Sequence, residues 1–133
     1  MTMNASKNLE DFCSEYTSKL INILKSSDWS NVGQLGKDMR ECWQAGKQVF
    51  FCGNGGSAGN AIHLVNDFLY GVAKQTGAGL KVQALSANQS VITCLANDVG
   101  YDYIYSEQLA VLAEPGDLLV ALSGSGNSPN IIR

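Results

Sequence analysis

The sequence predicts an α/β fold with a doubly wound parallel sheet. Short apolar segments alternate with helical patterns after residue 46, and two of these segments run directly into turns rich in glycine and serine. Strands that alternate with helices form parallel sheets, and ligands bind at the carboxyl ends of such strands. A chain of 133 residues predicts one domain, with a helical pair at residues 1–46 and the first part of the sheet at residues 47–133.

Two amphipathic helices are predicted before the sheet. Apolar residues recur at helical spacing over residues 7–25, and a polar Ser-Ser-Asp segment follows at residues 26–28. A second pattern runs from Val32 to Trp43 and stops before Gly46, a typical helix-ending glycine. One sheet face does not require two helices, so we expect them to pack on a neighbouring subunit as well as on their own domain.

The rest of the chain divides into predicted strands, helices and turns. Apolar runs predict strands at Gln48–Cys52, Leu80–Leu85 and Leu118–Leu122. Helical patterns predict helices at about residues 57–70, 91–96 and 104–113. Turns are predicted at Asn97-Asp98-Val99-Gly100 and Glu114-Pro115-Gly116-Asp117.

A final helix is predicted to start at Pro129, with Ser128 as its N-cap. The chain stops at Arg133, so this helix ends after its first turn and cannot cover a three-stranded sheet. We therefore expect the C-terminal part of the fold to be absent from this chain or supplied by another chain.

Composition excludes several classes of protein. The formal charge is −3 and no Lys/Arg cluster is present, which argues against nucleic-acid binding and leaves amides and hydroxyls to hold any phosphate. No apolar run approaches membrane length and no signal pattern begins the chain, so a cytoplasmic protein is expected. The cysteines are interpreted as reduced core residues, at Cys13, Cys42, Cys52 and Cys94.

The first glycine-rich loop joins a predicted strand to a predicted helix. Gly53, Gly55 and Gly56 permit close approach of the backbone to a ligand, and Asn54 and Ser57 supply side-chain hydrogen bonds. The loop has neither the Lys of a Walker A motif nor GxGxxG spacing. The alternative is an ordinary strand-to-helix turn that binds nothing.

The second loop carries three serines. Ser123, Ser125 and Ser128 alternate with Gly124 and Gly126, directly after an apolar strand. Three hydroxyls ahead of a helix can hold a phosphate dianion without Arg or Lys. The alternative is a solvated Ser/Gly linker. Together the two loops predict one small phosphorylated ligand between them.

His63 is the only histidine, and Asp67 follows four residues later on the same predicted helix. Residues four apart share a helix face, so this imidazole and carboxylate could share a metal or a substrate. The alternative is that His63 simply packs against its neighbours.

Two further groups of residues carry weaker signals. Asn97 and Asp98 could reach a sugar hydroxyl, although turn residues need no such explanation. The alternating Tyr101, Tyr103 and Tyr105 are interpreted as core or subunit-interface residues rather than as ligand contacts.

Three motifs resemble the sugar isomerase (SIS) domain family, and within it the phosphoheptose isomerases. They are CGNGGSAGNAIH (Cys52–His63), LANDVGY (Leu95–Tyr101) and LSGSGNS (Leu122–Ser128). The resemblance implies a flavodoxin-like three-layer α/β/α fold and a cytoplasmic homotetramer. It also implies isomerisation of sedoheptulose 7-phosphate to D-glycero-D-manno-heptose 7-phosphate for bacterial surface polysaccharide.

The resemblance also implies roles for individual residues. His63 corresponds to a zinc ligand, and Asp67 stands where the family has a glutamate that serves as base and metal ligand. The residues implied to contact the sugar phosphate are Asn54, Gly55, Gly56, Asn97, Asp98, Ser123, Gly124, Ser125 and Ser128.

The chain departs from the family pattern at two of these positions. Asp67 is one methylene shorter than the family's glutamate, and Gly124 replaces a threonine. The family's second acid/base histidine and its companion ligand lie in a helix beyond Arg133, so zinc would lack two of its four ligands here. A non-catalytic SIS module that binds a sugar phosphate or a protein, and an aminosugar phosphate isomerase domain, remain alternatives.

Overall fold

A computed structural model describes residues 8–133. The first residue of the predicted N-terminal helix, residue 7, lies outside the described residues. The chain divides into two compact units, Met1–Leu35 and Gly36–Arg133.

The first unit contains helix α1, Leu9–Ser26, and the beginning of helix α2, Ser30–Gln44. The side chain of Asn8 caps α1 by accepting a hydrogen bond of 2.7 Å from the Asp11 amide. None of the residues of α1 in the described structure is buried, and its apolar positions are exposed. Cys13 is among the exposed residues, so its interpretation as a core residue is wrong.

The second unit is built on three parallel strands: β1, Gln48–Gly53, β2, Lys81–Ala84, and β3, Leu118–Leu122. The strand order is β2-β1-β3. Every residue of β1 except Gln48 is buried, as expected for the central strand of a sheet covered on both faces. The predicted doubly wound parallel sheet is confirmed.

The helices cover both faces of this sheet. Alternate residues of β1 point to opposite faces, so Phe51 packs against α2 and α3 residues while Phe50 packs against Ile104 and Tyr105. Burying a side chain of this size stabilises the fold by about 1.5–3 kcal/mol. The helices of the second unit are α3, Gly56–Asn66, α4, Val72–Thr76, α5, Gln89–Asp98, α6, Ser106–Leu112, and α7, Pro129–Ile132.

The region predicted as one helix over residues 57–70 contains a π-helical turn, Asp67–Gly71, between α3 and α4. The Phe68 carbonyl accepts a hydrogen bond of 3.1 Å from the Leu80 amide, just before β2. Gly79 allows this crossing, because a Cβ there would lie 1.9 Å from the Leu69 carbonyl oxygen. The helical periodicity in the sequence did not reveal this contact, which is tertiary.

The structure differs from the sequence prediction at Asn97 and Asp98 and at Cys94. Asn97 and Asp98 form the last turn of α5 rather than a loop turn, and the Leu95 carbonyl accepts from the amides of Val99 and Gly100 at 3.0 and 2.9 Å. The helix ends at Asp98, and Gly100, two residues later, has a φ of +121° that suits glycine. Cys42 and Cys52 are buried as predicted, whereas Cys94 is exposed on α5.

Candidate functional site

The carboxyl end of the sheet brings the two predicted loops side by side. Gly53, the last residue of β1, is in register with Leu122, the last residue of β3. The glycine loop, residues 53–57, and the serine loop, residues 123–128, therefore begin on neighbouring strands. Parallel strands end at one edge, so loops distant in sequence meet there.

The glycine loop turns tightly into α3. A Cβ on Gly53 would lie 2.8 Å from backbone and side-chain atoms of Ser57, so only glycine fits at the end of the strand. Gly55 has a φ of +54°, and Ser57 donates its amide to the Asn54 carbonyl at 2.9 Å. Gly55 and Gly56 are exposed, which leaves their backbone accessible to a ligand.

The Asn54 side chain is fixed by residues far away in sequence. Its carboxamide exchanges two hydrogen bonds of 2.8 Å with the carboxamide of Asn130, which lies in α7 and is 4% exposed. The Tyr101 hydroxyl donates to Asn54 Oδ1 at 3.2 Å. The Tyr105 hydroxyl donates to the Gly53 carbonyl and lies 3.4 Å from Asn54 Oδ1. Asn54 thus enters the site in one orientation.

Tyr105 is a permanent hydrogen-bond donor at neutral pH. Burial, followed by the nearby Tyr101 and Cys52, raises the pKa of Tyr105 to about 12, and the hydrogen bond to the Gly53 carbonyl opposes this only in part. A neutral phenol is the form that can donate to a backbone carbonyl.

The serine loop is folded by its own hydroxyls. Ser123 Oγ accepts from the Gly126 amide at 3.1 Å, and Ser125 Oγ accepts from the Asn127 amide at 3.2 Å. Because a serine hydroxyl also carries one proton, both retain a donor for an anion. Ser128 occupies the predicted N-cap position before Pro129, although its side chain makes no capping bond within the described residues.

His63 lies on α3, and Asp67 is the first residue of the π-helical turn that follows it. Nε2 of His63 is 3.3 Å from Oδ2 of Asp67, and the two side chains are 75% and 54% exposed. This separation equals the edge between two ligands of a tetrahedral zinc ion with bonds of about 2.0–2.1 Å. No third His, Cys, Asp or Glu of residues 8–133 joins the pair to form a candidate metal site. The pair can thus supply half of a zinc site.

The side chains of Asn97 and Asp98 hydrogen-bond to each other, and Asp98 also accepts a hydrogen bond from Cys94. Asn97 Nδ2 donates to Asp98 Oδ1 at 2.7 Å, and Cys94 Sγ donates to Asp98 Oδ2 at 3.5 Å. The hydrogen bond to Asp98 and the charge of that carboxylate raise the pKa of the Cys94 thiol. Their side chains form no described hydrogen bond to either loop, and Tyr101, three residues after Asp98, makes that connection instead.

Sequence reasoning missed four residues at this end of the sheet. Asn130, Tyr101 and Tyr105 hold the glycine loop, and Ser86 follows β2 with a buried hydroxyl oxygen that has no partner among the described residues. The alternating tyrosines were a visible signal, and Tyr105 is buried as expected, but the Tyr101 hydroxyl reaches the loop itself. No sequence signal distinguished Asn130 from other polar residues of a first helical turn.

The family model of the SIS domain matches residues 11–133 of this chain. The chain belongs to the SIS domain family. Curated relatives include the phosphoheptose isomerase of Shewanella denitrificans, 46% identical over 105 residues that make up 77% of this chain and 52% of the relative. The phosphoheptose isomerase of Rhodospirillum rubrum is 48% identical over 90 residues, 68% of this chain and 47% of the relative. The chain thus spans about half the length of these relatives.

Solved structures share the fold. The phosphoheptose isomerase from Neisseria gonorrhoeae superposes with a TM-score of 0.82 at 30% identity, covering 94% of this chain and 66% of that one. The phosphoheptose isomerase from Francisella tularensis gives a TM-score of 0.83 at 27% identity, covering 95% of this chain and 66% of that one. Within residues 8–133, no helix is long and apolar enough to cross a membrane.

Proposed function

We propose that the protein is a phosphoheptose isomerase that interconverts sedoheptulose 7-phosphate and D-glycero-D-manno-heptose 7-phosphate for bacterial surface polysaccharide. The observation that carries this proposal is the meeting of the glycine and serine loops at one sheet edge, in a chain 46% identical over 105 residues to a phosphoheptose isomerase. Polar groups that converge at the carboxyl ends of parallel strands are the usual ligand site of such folds.

In this proposal the serine loop holds the phosphate. Ser123 and Ser125 keep hydroxyl protons to donate, and Ser128 of the same loop adds a third hydroxyl. Charge-assisted hydrogen bonds to a phosphate are about twice as strong as neutral ones, so the site needs no Arg or Lys. The exposed backbone of Gly55 and Gly56 and the remaining Asn54 N–H orient the sugar, with Asn97 and Asp98 at its far hydroxyls.

Asp67 is the proposed base. Its carboxylate takes the proton from C1 of the ketose and returns it to C2, through an enediol, while His63 on the preceding helical turn holds the carboxylate. Such a proton transfer needs an acid for the sugar oxygen, and we assign that acid to a residue outside residues 8–133.

We also propose that His63 and Asp67 are two ligands of a zinc ion. Zinc would polarise the sugar oxygens when bound. Since the described residues provide half of its ligands, no proton-transfer step is assigned to it. Zinc titration of the His63→Ala variant, which should bind more weakly than the unchanged protein, tests the ligand pair independently of turnover.

A homotetramer in the cytoplasm is the proposed state of the whole protein. The exposed apolar face of α1 supports assembly, because exposed apolar surface of this kind marks interaction sites. Sedimentation of the full-length protein tests the stoichiometry.

The second candidate is a sugar-phosphate-binding or protein-binding adaptor without catalysis. Asp67 in place of the family's glutamate favours it, since proton transfer tolerates a displaced base poorly whereas binding through the two loops does not require one.

The direct test is to incubate the full-length protein, with zinc, with sedoheptulose 7-phosphate and to measure aldose formation. Turnover that disappears in the Asp67→Asn variant is expected. Binding of the sugar without turnover would overturn the isomerase and favour the adaptor. If the sugar is neither bound nor turned over, both candidates are overturned for this sugar.

A further inference from the structure

We infer that Asn130 is a positioning residue that fixes the Asn54 carboxamide and fastens the glycine loop to the chain beyond the serine loop. The inference rests on the proposed sugar-phosphate site and adds a residue to it. Asn130 follows Ser128 and Pro129 directly, so whatever holds it also holds the end of the serine loop.

The hydrogen-bonding capacity of Asn54 explains why this matters. A carboxamide has two N–H donors and one oxygen with two lone pairs. The Asn54 oxygen accepts from Asn130 and from Tyr101, and one N–H donates to the Asn130 oxygen. One N–H remains for a sugar oxygen, and its direction is set by the other three bonds.

Without Asn130, two of these three bonds would be lost, and only tyrosine hydroxyls would still restrain the direction. A carboxamide can turn over by half a rotation and exchange its oxygen and nitrogen, and only its partners decide between the two orientations. The turned form would present an acceptor where the bound sugar meets a donor. The reciprocal pair with Asn130 stabilises one orientation through two bonds of 2.8 Å, at a position where Asn130 is 4% exposed.

The pair also joins two walls of the site. Asn54 and Asn130 are 76 residues apart in the chain; Asn54 directly follows β1, and Asn130 lies in α7 after the serine loop. Arg133, in contact with the Tyr103 ring at 3.6 Å, holds α7 against the same tyrosine segment that contacts Asn54. A change at Asn130 is therefore expected to weaken binding of the whole phosphosugar more than binding of inorganic phosphate.

An Asn130→Asp variant tests the pairing through its pH dependence. An ionised carboxylate would place an oxygen against Asn54 Oδ1 in place of the N–H donor, whereas a protonated carboxyl restores both hydrogen bonds. Burial and the facing amide oxygen are expected to raise the pKa of the introduced carboxyl. Affinity for sedoheptulose 7-phosphate is expected to fall about tenfold at pH 8 and to return to within about threefold at pH 5.5. In Asn130→Ala it should stay low at both pH values.

Each value is compared with the unchanged protein at the same pH, because the sugar phosphate itself titrates near pH 6. The ionisable groups in contact with the pair are Tyr101 and Tyr105, Cys52 lies near Tyr105, and the charged Arg133 directly follows α7. Burial raises the pKa values of Tyr105 and Cys52, so neither group gains a charge between pH 5.5 and 8. Asn31→Asp, at an exposed position of α2, is the matched control and should bind as the unchanged protein does.

A ligand-free readout separates this inference from the proposed function. In the unchanged protein one proton of the Asn54 side-chain amide should exchange slowly by NMR, and Asn130→Ala should abolish that protection. If the sugar does not bind but the protection is lost, the proposed function fails and the pairing stands. If Asn130→Asp binds equally at both pH values, or the protection survives in Asn130→Ala, the inference is overturned. If the Asn130 variants do not fold, Tyr101→Phe is used in their place. It changes an exposed position and removes one hydrogen-bond donor to the Asn54 oxygen.

Discussion

Nε2 of His63 lies 3.3 Å from Oδ2 of Asp67, and Asp67 is also the first residue of the π-helical turn. Turns of this kind occur frequently at functional sites. Here the Leu80 amide donates a hydrogen bond to the Phe68 carbonyl, and the absence of a side chain at Gly79 allows that contact. The candidate base is thus placed by a tertiary contact as well as by its helix.

Lengthening this carboxylate is expected to raise the isomerase rate. Asp67→Glu adds one methylene, and a displacement of about 1 Å can cost 10²-fold in a proton transfer. We expect kcat to rise at least about tenfold in the full-length protein. The matched Asn66→Gln variant lengthens the neighbouring exposed side chain and should leave kcat unchanged. An unchanged rate in Asp67→Glu would favour the adaptor.

Removing one loop hydroxyl is expected to weaken binding of the phosphate. Ser123→Ala loses both the bond to the Gly126 amide and a donor to the ligand. Hydrogen bonds to charged groups contribute about 1.5–3 kcal/mol, so the Kd for the sugar phosphate should rise about tenfold or more. Calorimetric titration measures this, with Ser90→Ala on the exposed side of α5 as the control. Equal affinities would remove Ser123 from the site.

The end of β1 is expected to reject any side chain. Gly53→Ala would place its Cβ 2.8 Å from Ser57 backbone atoms, which cannot move without displacing the start of α3. Overpacking of this kind costs about 1–3 kcal/mol. Gly59→Ala, inside α3 with open space around its Cβ, should instead stabilise by about 0.5–1 kcal/mol. Urea unfolding of both variants gives the comparison, and similar midpoints would contradict the tight turn.

Asp117 is expected to make stability depend on acid pH. Its carboxylate accepts from the Gln48 amide at 2.9 Å and from the Glu114 amide at 2.8 Å, tying the start of β1 to the turn before β3. These bonds hold the pKa of Asp117 below its usual value, helped by Lys47 and Lys81. Because the folded pKa is lowered, the stabilisation is present above the unfolded pKa of 3.8 and lost as pH falls through the folded value.

The comparison that tests this is the Tm of Asp117→Asn against the unchanged protein. At pH 7 the Tm of the variant should be lower than that of the unchanged protein, and this difference in Tm should become smaller as the pH drops below 4. Asp102→Asn, at an exposed position, should show no comparable gap. A gap that stays constant with pH would show that the charge of Asp117 is not the cause.

Much of the fold and of the candidate site was predictable. The alternation of apolar strands and helical patterns gave the parallel sheet, and β3 has the predicted bounds, Leu118–Leu122. The glycine and serine loops were found because glycine and small hydroxyl residues leave a clear mark directly after an apolar run. Asn97 and Asp98 were misplaced in a turn because Asn, Asp and Gly also end helices, and local composition does not separate the two cases.

The sequence by itself determined the strands, the two loops, the His63–Asp67 pair and the likeness to the SIS family. Each of these depends only on neighbouring residues or on residues four apart in a helix. The tertiary structure alone decided which distant groups meet, namely the Asn54–Asn130 pair and the tyrosine hydroxyls on the glycine loop. It also decided the π-helical turn that begins at Asp67. These contacts depend on strand register and on packing between segments up to 76 residues apart, and short-range periodicity carries no information about either.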